Sequence, residues 1–342
     1  MRSTLLPLLA LPLIGLSCSD YDLAADNDPT RLSPKHGDSF DPNTDDTSQS
    51  ADSGRDSGEV VDPGTEVPEG KVDVVLLIDI AYFYDCYHAD LALNTAALID
   101  ALFASGANVA VGIAKFDDYY VDDEWYTAWG GEPYTFGTQI TTDRGRLSSV
   151  ASSLELEWGG DGPGDGYEAI RQAGNGIGYD QDCDGKLDAT YDISPFIKSG
   201  GDAFGGKVAS LYDVGVAGSG TEGGMGFRPD SKRVVVLITE NALRESSYGH
   251  EMPKGSCPAG ATRSDAVTAI TDIDAKFLGV NAYEFWDEDP TPQEQLEALA
   301  TRTDSKFDKD GDGKKDDLAV FGQSWDWPTT AELVDAIWQL AG

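Results

Sequence analysis

The sequence predicts a doubly wound α/β domain, a mainly parallel sheet flanked by helices on both faces, and two observations predict it. The runs "VDVVLLIDI" (72–80), "NVAVGIAKF" (108–116) and "KRVVVLITE" (232–240) are almost continuously apolar and of strand length, as expected of strands buried on both faces. Segments with helical spacing separate them. Parallel strands need crossovers of that kind, because a short hairpin can join only antiparallel ones.

The elements follow in order. After the first strand, "LALNTAALIDALFASG" (91–106) has helical spacing and a glycine stop. The second strand is followed by an aromatic and acidic stretch, "FDDYYVDDEWYTAWGGEPYTF" (116–136), which reads either as a recognition patch or as a loop packing its own rings over the sheet edge. "FWDEDP" (285–290) and "SWDWP" (324–328) allow the same two readings. "RLSSVASSLEL" (146–156) and "GYEAIRQAG" (166–174) read as helices. Beyond the third strand, "SDAVTAITDIDAKF" (264–277) reads as a helix and "LGVNAYEF" (278–285) as a strand. "QEQLEALATRT" (293–303) and "TTAELVDAIWQLAG" (329–342) are late helices, with the short strand "LAVFG" (318–322) between them.

The first 70 of the 342 residues are of another kind. "MRSTLLPLLALPLIGLSC" carries Arg2, an apolar run too short for a stable span, and small residues before Cys18, the pattern of an export signal over 1–17. Residues 18–70 are rich in Asp, Ser, Thr, Pro and Gly, cannot bury enough surface to fold, and read as a disordered acidic tether. The folded domain is then 71–342. Its formal charge belongs to a chain of net −37, with 61 acidic against 24 basic side chains. Such a field repels nucleic acid and suits cations or basic partners, while also keeping an exported protein soluble. Cys86, Cys183 and Cys257 leave room for one disulfide, and the sequence does not choose the pair.

Ligands of doubly wound sheets bind outside the carboxyl ends of the strands, at the switch in strand order. Those ends carry Asp79, Phe116 with Asp117, and Thr239 with Glu240. No glycine-rich phosphate loop follows the first strand, which argues against a dinucleotide site. His36, His88 and His250 are the only histidines, and no G-x-S-x-G elbow occurs, so neither enzyme chemistry nor a small-molecule substrate is expected.

Four stretches resemble a von Willebrand factor A domain, and more closely its integrin beta-subunit variant: "VDVVLLIDIAYFYD", "GGDGPGDGYEAI", "GFRPDSKRVVVLITEN" and "TTAELVDAIWQL". The resemblance spans residues 72–342, with insertions near 171–225 and 241–262. It implies a Mg²⁺- or Mn²⁺-type ion at the turn after the first strand, held by a DxSxS aspartate and serines, a second-loop residue and a later aspartate. Asp79 is retained, but Ala81 and Phe83 stand at the serine positions and supply no oxygen. Gly164 stands where the integrin-like loop has glutamate, with Asp165 beside it, and Glu240 replaces the late aspartate. The site is therefore degenerate, with Asp79, Asp165, Glu240 and Asp117 left to gather a cation. Asp161 and Pro163 match positions that serve a neighbouring calcium in the family, and the third integrin-type site falls on Cys86 and Tyr87 and is absent. The segment "GLSC" resembles a bacterial lipobox. That implies lipid attachment at Cys18, with ordinary secretory cleavage as the alternative, and Ser19 favours the outer membrane.

Two loops, "DQDCDGKLD" (180–188) and "DKDGDGKKD" (308–316), share D-x-D-x-D-G-x-x-D. Alternate aspartates point carboxylates at one centre, and the sixth-place glycine allows the sharp turn that a Ca²⁺ shell requires. The expected site residues are Asp180, Asp182, Asp184, Lys186 and Asp188, and Asp308, Asp310, Asp312, Lys314 and Asp316. The twelfth places, Tyr191 and Ala319, exclude an EF-hand, so the loops resemble free-standing ones of the thrombospondin or FG-GAP kind. The whole predicts a calcium-stabilised lipoprotein of the cell surface that binds a protein or surface polymer. The alternative is a structural envelope component with no adhesive role.

Overall fold

The computed structural model describes residues 67–80, 88–119, 132–154, 163–186, 192–197, 210–211, 213, 215–253, 255, 257–282, 290–322 and 328–342. The export signal, almost all of the tether, Cys18, Cys86, Asp161 and Asp188 lie outside them.

In chain order the elements are β1 (Lys71–Asp79), α1 (His88–Ala104), β2 (Asn108–Phe116), β3 (Thr135–Thr141), α2 (Arg144–Ser152), α3 (Gly166–Asn175), β4 (Phe196–Ile197) and β5 (Ser210–Leu211). They continue with β6 (Ser231–Thr239), α4 (Arg263–Asp272), β7 (Ala275–Asn281), α5 (Pro292–Arg302), β8 (Lys306–Phe307), β9 (Asp317–Leu318), β10 (Val320–Phe321) and α6 (Thr330–Ala341). The central sheet runs β10-β7-β6-β1-β2-β3. All its pairings are parallel except that of β3 with β2. This is the doubly wound order, and the chain reverses direction across the sheet between β1 and β6.

Burial follows the two-residue period of the strands. Val72, Val74, Leu76 and Ile78 of β1 face α1, α2 and α6, packing with Leu98, Leu102, Leu147, Leu333, Ile337 and Trp338. Val75 and Leu77 face the other way, onto Tyr167, Ile170, Ala266, Ile270, Leu296 and Leu299 of α3, α4 and α5. Both faces are therefore covered, which explains the unbroken apolar runs. Gly174 lets α3 and α4 approach, since a Cβ there would meet the Ala269 backbone oxygen at 2.7 Å. Capping boxes at Thr262/Asp265, Thr291/Glu294 and Thr329/Glu332 start α4, α5 and α6 by satisfying otherwise orphaned amides.

At the amino end of the sheet the "GFRP" stretch is pinned by an ion pair. Arg228 Nε lies 2.5 Å from Asp73 Oδ1, and its other donors reach the Val72 and Asn108 carbonyls at 2.8 and 2.9 Å. The Arg228 amide and the Ser231 hydroxyl donate to Asp73 Oδ2 at 2.6 and 2.8 Å. A buried carboxylate inside a sheet is tolerated because each of its oxygens is partnered.

Two expectations need correction, and one strand is added. The edge strand β3 begins at Thr135, in the last two residues of the aromatic stretch, and runs on to Thr141. The fourth helix ends at Asp272, not 277, because Asp274 takes a left-handed turn (φ 51°) and the chain then enters β7 at Ala275. "LAVFG" is split, Leu318 pairing in a small hairpin with β8 and Val320 joining the central sheet. Among the described residues no helix is long and apolar enough to cross a membrane.

Candidate functional site

The crest of the sheet gathers polar groups at the switch point. Asp79 ends β1 and Thr239 ends β6, and the Thr239 hydroxyl donates to Asp79 Oδ2 at 2.7 Å while accepting from the Asn241 amide. Gly164 sits against the same oxygen, since a Cβ there would lie 3.4 Å from Asp79 Oδ2, and it offers no side-chain ligand. Glu240 is 8% exposed, and burial, followed by the nearby Asp79 charge, pushes its carboxyl up to about 8. Asp79 and Glu240 thus form one electrostatic pair.

Asp165 belongs to a different group. Its Oδ1 lies 3.0 Å from Arg244 Nε, and its other oxygen accepts from the Tyr119 amide. Arg244 also reaches Asp118 Oδ1 at 3.2 Å and the Glu251 carbonyl at 3.0 Å. Burial pushes the Asp165 carboxyl above the usual range and the Arg244 guanidinium opposes it. Arg244 is only 2% exposed, so this is a buried cation shared by two carboxylates. Its backbone closes the crest as well: the Arg244 amide donates to Gly164 O at 2.8 Å, and the Gly164 amide to Ala242 O at 2.9 Å. Asp117 is fully buried, its amide bonded to Glu132 O and its carbonyl accepting from the Asp165 amide.

These residues do not fit a Mg²⁺- or Mn²⁺-type shell. Near-octahedral coordination needs several converging oxygens. Asp165 turns to Arg244, position 164 has no side chain, and Ala81 and Phe83 carry no side-chain oxygen.

The two acidic loops present the opposite case. In the first, ligand atoms of Asp180, Asp182 and Asp192 lie within 4.8 Å of one another, and in the second those of Asp308, Asp310 and Asp317 do. One hydrogen-bond skeleton builds both. The sixth-place amide donates to the first aspartate, Gly185 to Asp180 Oδ2 at 2.9 Å and Gly313 to Asp308 Oδ2 at 2.8 Å. The fifth-place amide donates to the third-place carboxylate, Asp184 to Asp182 at 3.1 Å and Asp312 to Asp310 at 3.0 Å. The second-place amide donates to the closing aspartate, Gln181 to Asp192 Oδ1 at 2.8 Å and Lys309 to Asp317 Oδ2 at 2.9 Å. Left-handed turns recur at the fourth and sixth places: Cys183 (φ 61°) and Gly185 (81°), Gly311 (77°) and Gly313 (87°).

In both loops the first aspartate buries its Oδ1 with no hydrogen-bond partner. A buried carboxylate oxygen left bare is costly, and three carboxylates this close repel unless a cation joins them. The two groups can therefore hold metal ions.

In the second group the closing member is Asp317 rather than the expected Asp316; in the first, Asp192, twelve residues after Asp180, joins Asp180 and Asp182, and the expected Asp188 lies outside the described residues. The fifth-place aspartates stand outside both groups: Asp184 pairs with Lys186 at 2.9 Å and Asp312 with Lys314. Those lysine ammonium groups are therefore partners of the loop acids. Of the three cysteines, Cys183 and Cys257 are bridged.

No family model matches the sequence, and no curated protein matches it. Among solved structures, proximal thread matrix protein 1 from the mussel byssus is similar at 10% identity, with a TM-score of 0.35, over 63% of this chain and 38% of that one. The fold assignment rests on strand order and two-sided burial.

Proposed function

We propose that this chain is a calcium-stabilised recognition module of the von Willebrand factor A type, carried outside the cell on a lipidated tether at Cys18. The observation that carries the calcium part is the pair of loops with one hydrogen-bond skeleton and a bare, buried carboxylate oxygen at the same place. An all-oxygen carboxylate set on a pliable loop suits Ca²⁺, a hard cation that accepts about six to eight oxygens and irregular geometry. The doubly wound order, with a polar crest at the switch point, supports a binding role on the crest for a protein or a surface polymer.

The test is calorimetric titration of the purified chain with calcium. Two ions bind, Asp180→Asn removes one and Asp308→Asn the other, and affinities fall near the ~10⁻⁴ to 10⁻³ M class of extracellular sites. Absence of calcium binding in the unaltered chain overturns the reading.

A second reading, a structural envelope component with no adhesive role, is favoured by Arg244, which closes the crest from within. Binding to envelope fractions that is lost with Glu240→Ala supports recognition. Calcium-dependent melting with no such binding supports the structural role.

A further inference from the structure

We infer that the Cys183–Cys257 bridge and the ion of the 180–192 loop act as one unit: the bridge sets that loop's calcium affinity, and the ion in turn secures the segment that leads from the crest into α4. The inference rests on the calcium reading above and adds regulation to one of its two sites.

Cys183 occupies the fourth place of the loop, between Asp182 and Asp184, in the left-handed region at φ 61°. The other loop has Gly311 there, at φ 77°. Glycine takes that conformation freely, whereas a residue with a Cβ adopts it only when its surroundings impose it. In the first loop the surroundings include a covalent link to Cys257, 74 residues away. The turn that aims Asp180 and Asp182 at one centre therefore depends on a bridge that the second loop does without.

The far end of the bridge lies in the segment between β6 and α4. Around it, the Tyr179 hydroxyl, adjacent to Asp180, donates to Pro258 O at 3.1 Å, and Arg171 reaches Ala259 O at 3.4 Å. The Ala261 amide donates to the Tyr119 hydroxyl at 2.9 Å, and the Tyr119 and Tyr179 rings stand 5.1 Å apart. At its other end the segment gives its Glu251 carbonyl to Arg244, which holds Asp165 and Asp118. A continuous set of contacts thus runs from the ion loop to the closed crest. The bare Oδ1 of Asp180, on a residue 1% exposed, points to an ion at the head of that set. The second loop is fastened differently: the Gln339 side chain on α6 both accepts from and donates to the Asp308 backbone, with no cysteine involved.

Linkage makes the coupling reciprocal, so calcium must protect the bridge to the extent that the bridge strengthens calcium binding. The test uses the full chain and two measurements. In the first, calcium is titrated by calorimetry into chains in which only one loop can bind, through Asp308→Asn or Asp180→Asn, each with the bridge intact and with Cys183→Ser and Cys257→Ser together. Loss of the bridge is expected to weaken the 180–192 loop at least tenfold and to leave the 308–317 loop within twofold. In the second, which needs no cysteine variant, dithiothreitol reduces the bridge, two electrons passing from the dithiol to yield two cysteine thiols and the cyclic disulfide of the reagent. At equilibrium in a buffer of reduced and oxidised dithiothreitol, saturating calcium is expected to raise the ratio of bridged to reduced chain at least tenfold, and Asp180→Asn to abolish the rise. Unchanged affinity at the first loop, or a calcium-induced rise that persists with Asp180→Asn, overturns the inference while leaving calcium binding intact. Failure of the oxidised chain to bind calcium at either loop overturns the calcium reading itself.

Discussion

Arg244 Nε lies 3.0 Å from Asp165 Oδ1, so a side chain of the protein supplies the positive charge beside a carboxylate that the sequence pattern offers to a metal ion. The guanidinium is planar, always charged and fixed by further bonds to Asp118 and Glu251 O, which makes it a permanent substitute for an exchangeable cation. Arg244 thereby takes a cation's place beside Asp165, and the two acidic loops are the groups that can hold a metal ion.

Replacing Arg244 with Met removes the buried cation that Asp118 and Asp165 share. The expected loss is about 3–5 kcal/mol in urea unfolding, and added magnesium does not restore it. Asp165→Asn in the same chain recovers part of the loss, because one of the two carboxylates that shared the guanidinium is gone.

The loop acids respond to calcium through binding linkage. If each site lies in the ~10⁻⁴ to 10⁻³ M class, 10 mM calcium stabilises the chain by about 1.4–2.7 kcal/mol per occupied loop. Asp180→Asn and Asp308→Asn each remove one such increment, as a smaller calcium-induced rise in melting temperature. Asp316→Asn leaves that rise unchanged, whereas Asp317→Asn reduces it.

Glu240 gives the crest a pH dependence of definite sign. Its folded carboxyl is raised to about 8 from 4.5, so the folded state holds more protons than the unfolded state between those values. The contribution to stability is whole below about pH 4.5 and is lost as pH rises towards 8, by at most about 1.4 kcal/mol per pH unit. Urea titrations at stepped pH show this slope in the unaltered chain and lose it with Glu240→Gln.

At the opposite end of the sheet, Arg228→Met leaves the carboxylate of Asp73, 0% exposed, without its countercharge. The expected cost is about 3–5 kcal/mol, read as a fall in the urea midpoint at constant slope. The double change Asp73→Val, Arg228→Met costs less than Arg228→Met alone.

The parallel strands were legible because two-sided burial writes itself as unbroken Val, Ile and Leu. β3 was not, because an antiparallel edge strand with Phe136 and Gly137 exposed carries no such run. No glycine or proline stands between the helix and the strand at 272–275, and only the backbone turn at Asp274 divides them. In the acidic loops the repeat revealed the first and third members of each group, which local spacing fixes. Asp317 and Asp192 join them from nine and twelve residues beyond the first aspartate, outside the repeat, and are brought in by how the chain returns. Arg244 could not be read at all: its partners come from the segment after β2 and the residue before α3, and tertiary structure alone brings them together.

The central claim is that each acidic loop centres one calcium ion and that the strand crest centres none. Anomalous diffraction from crystals grown in calcium with manganese also present, recorded on both sides of the manganese edge, tests it directly. The account predicts two peaks, each about 2.3–2.6 Å from carboxylate oxygens, one among Asp180, Asp182 and Asp192 and one among Asp308, Asp310 and Asp317. A metal peak between Asp79 and Glu240, or an empty loop, would contradict it.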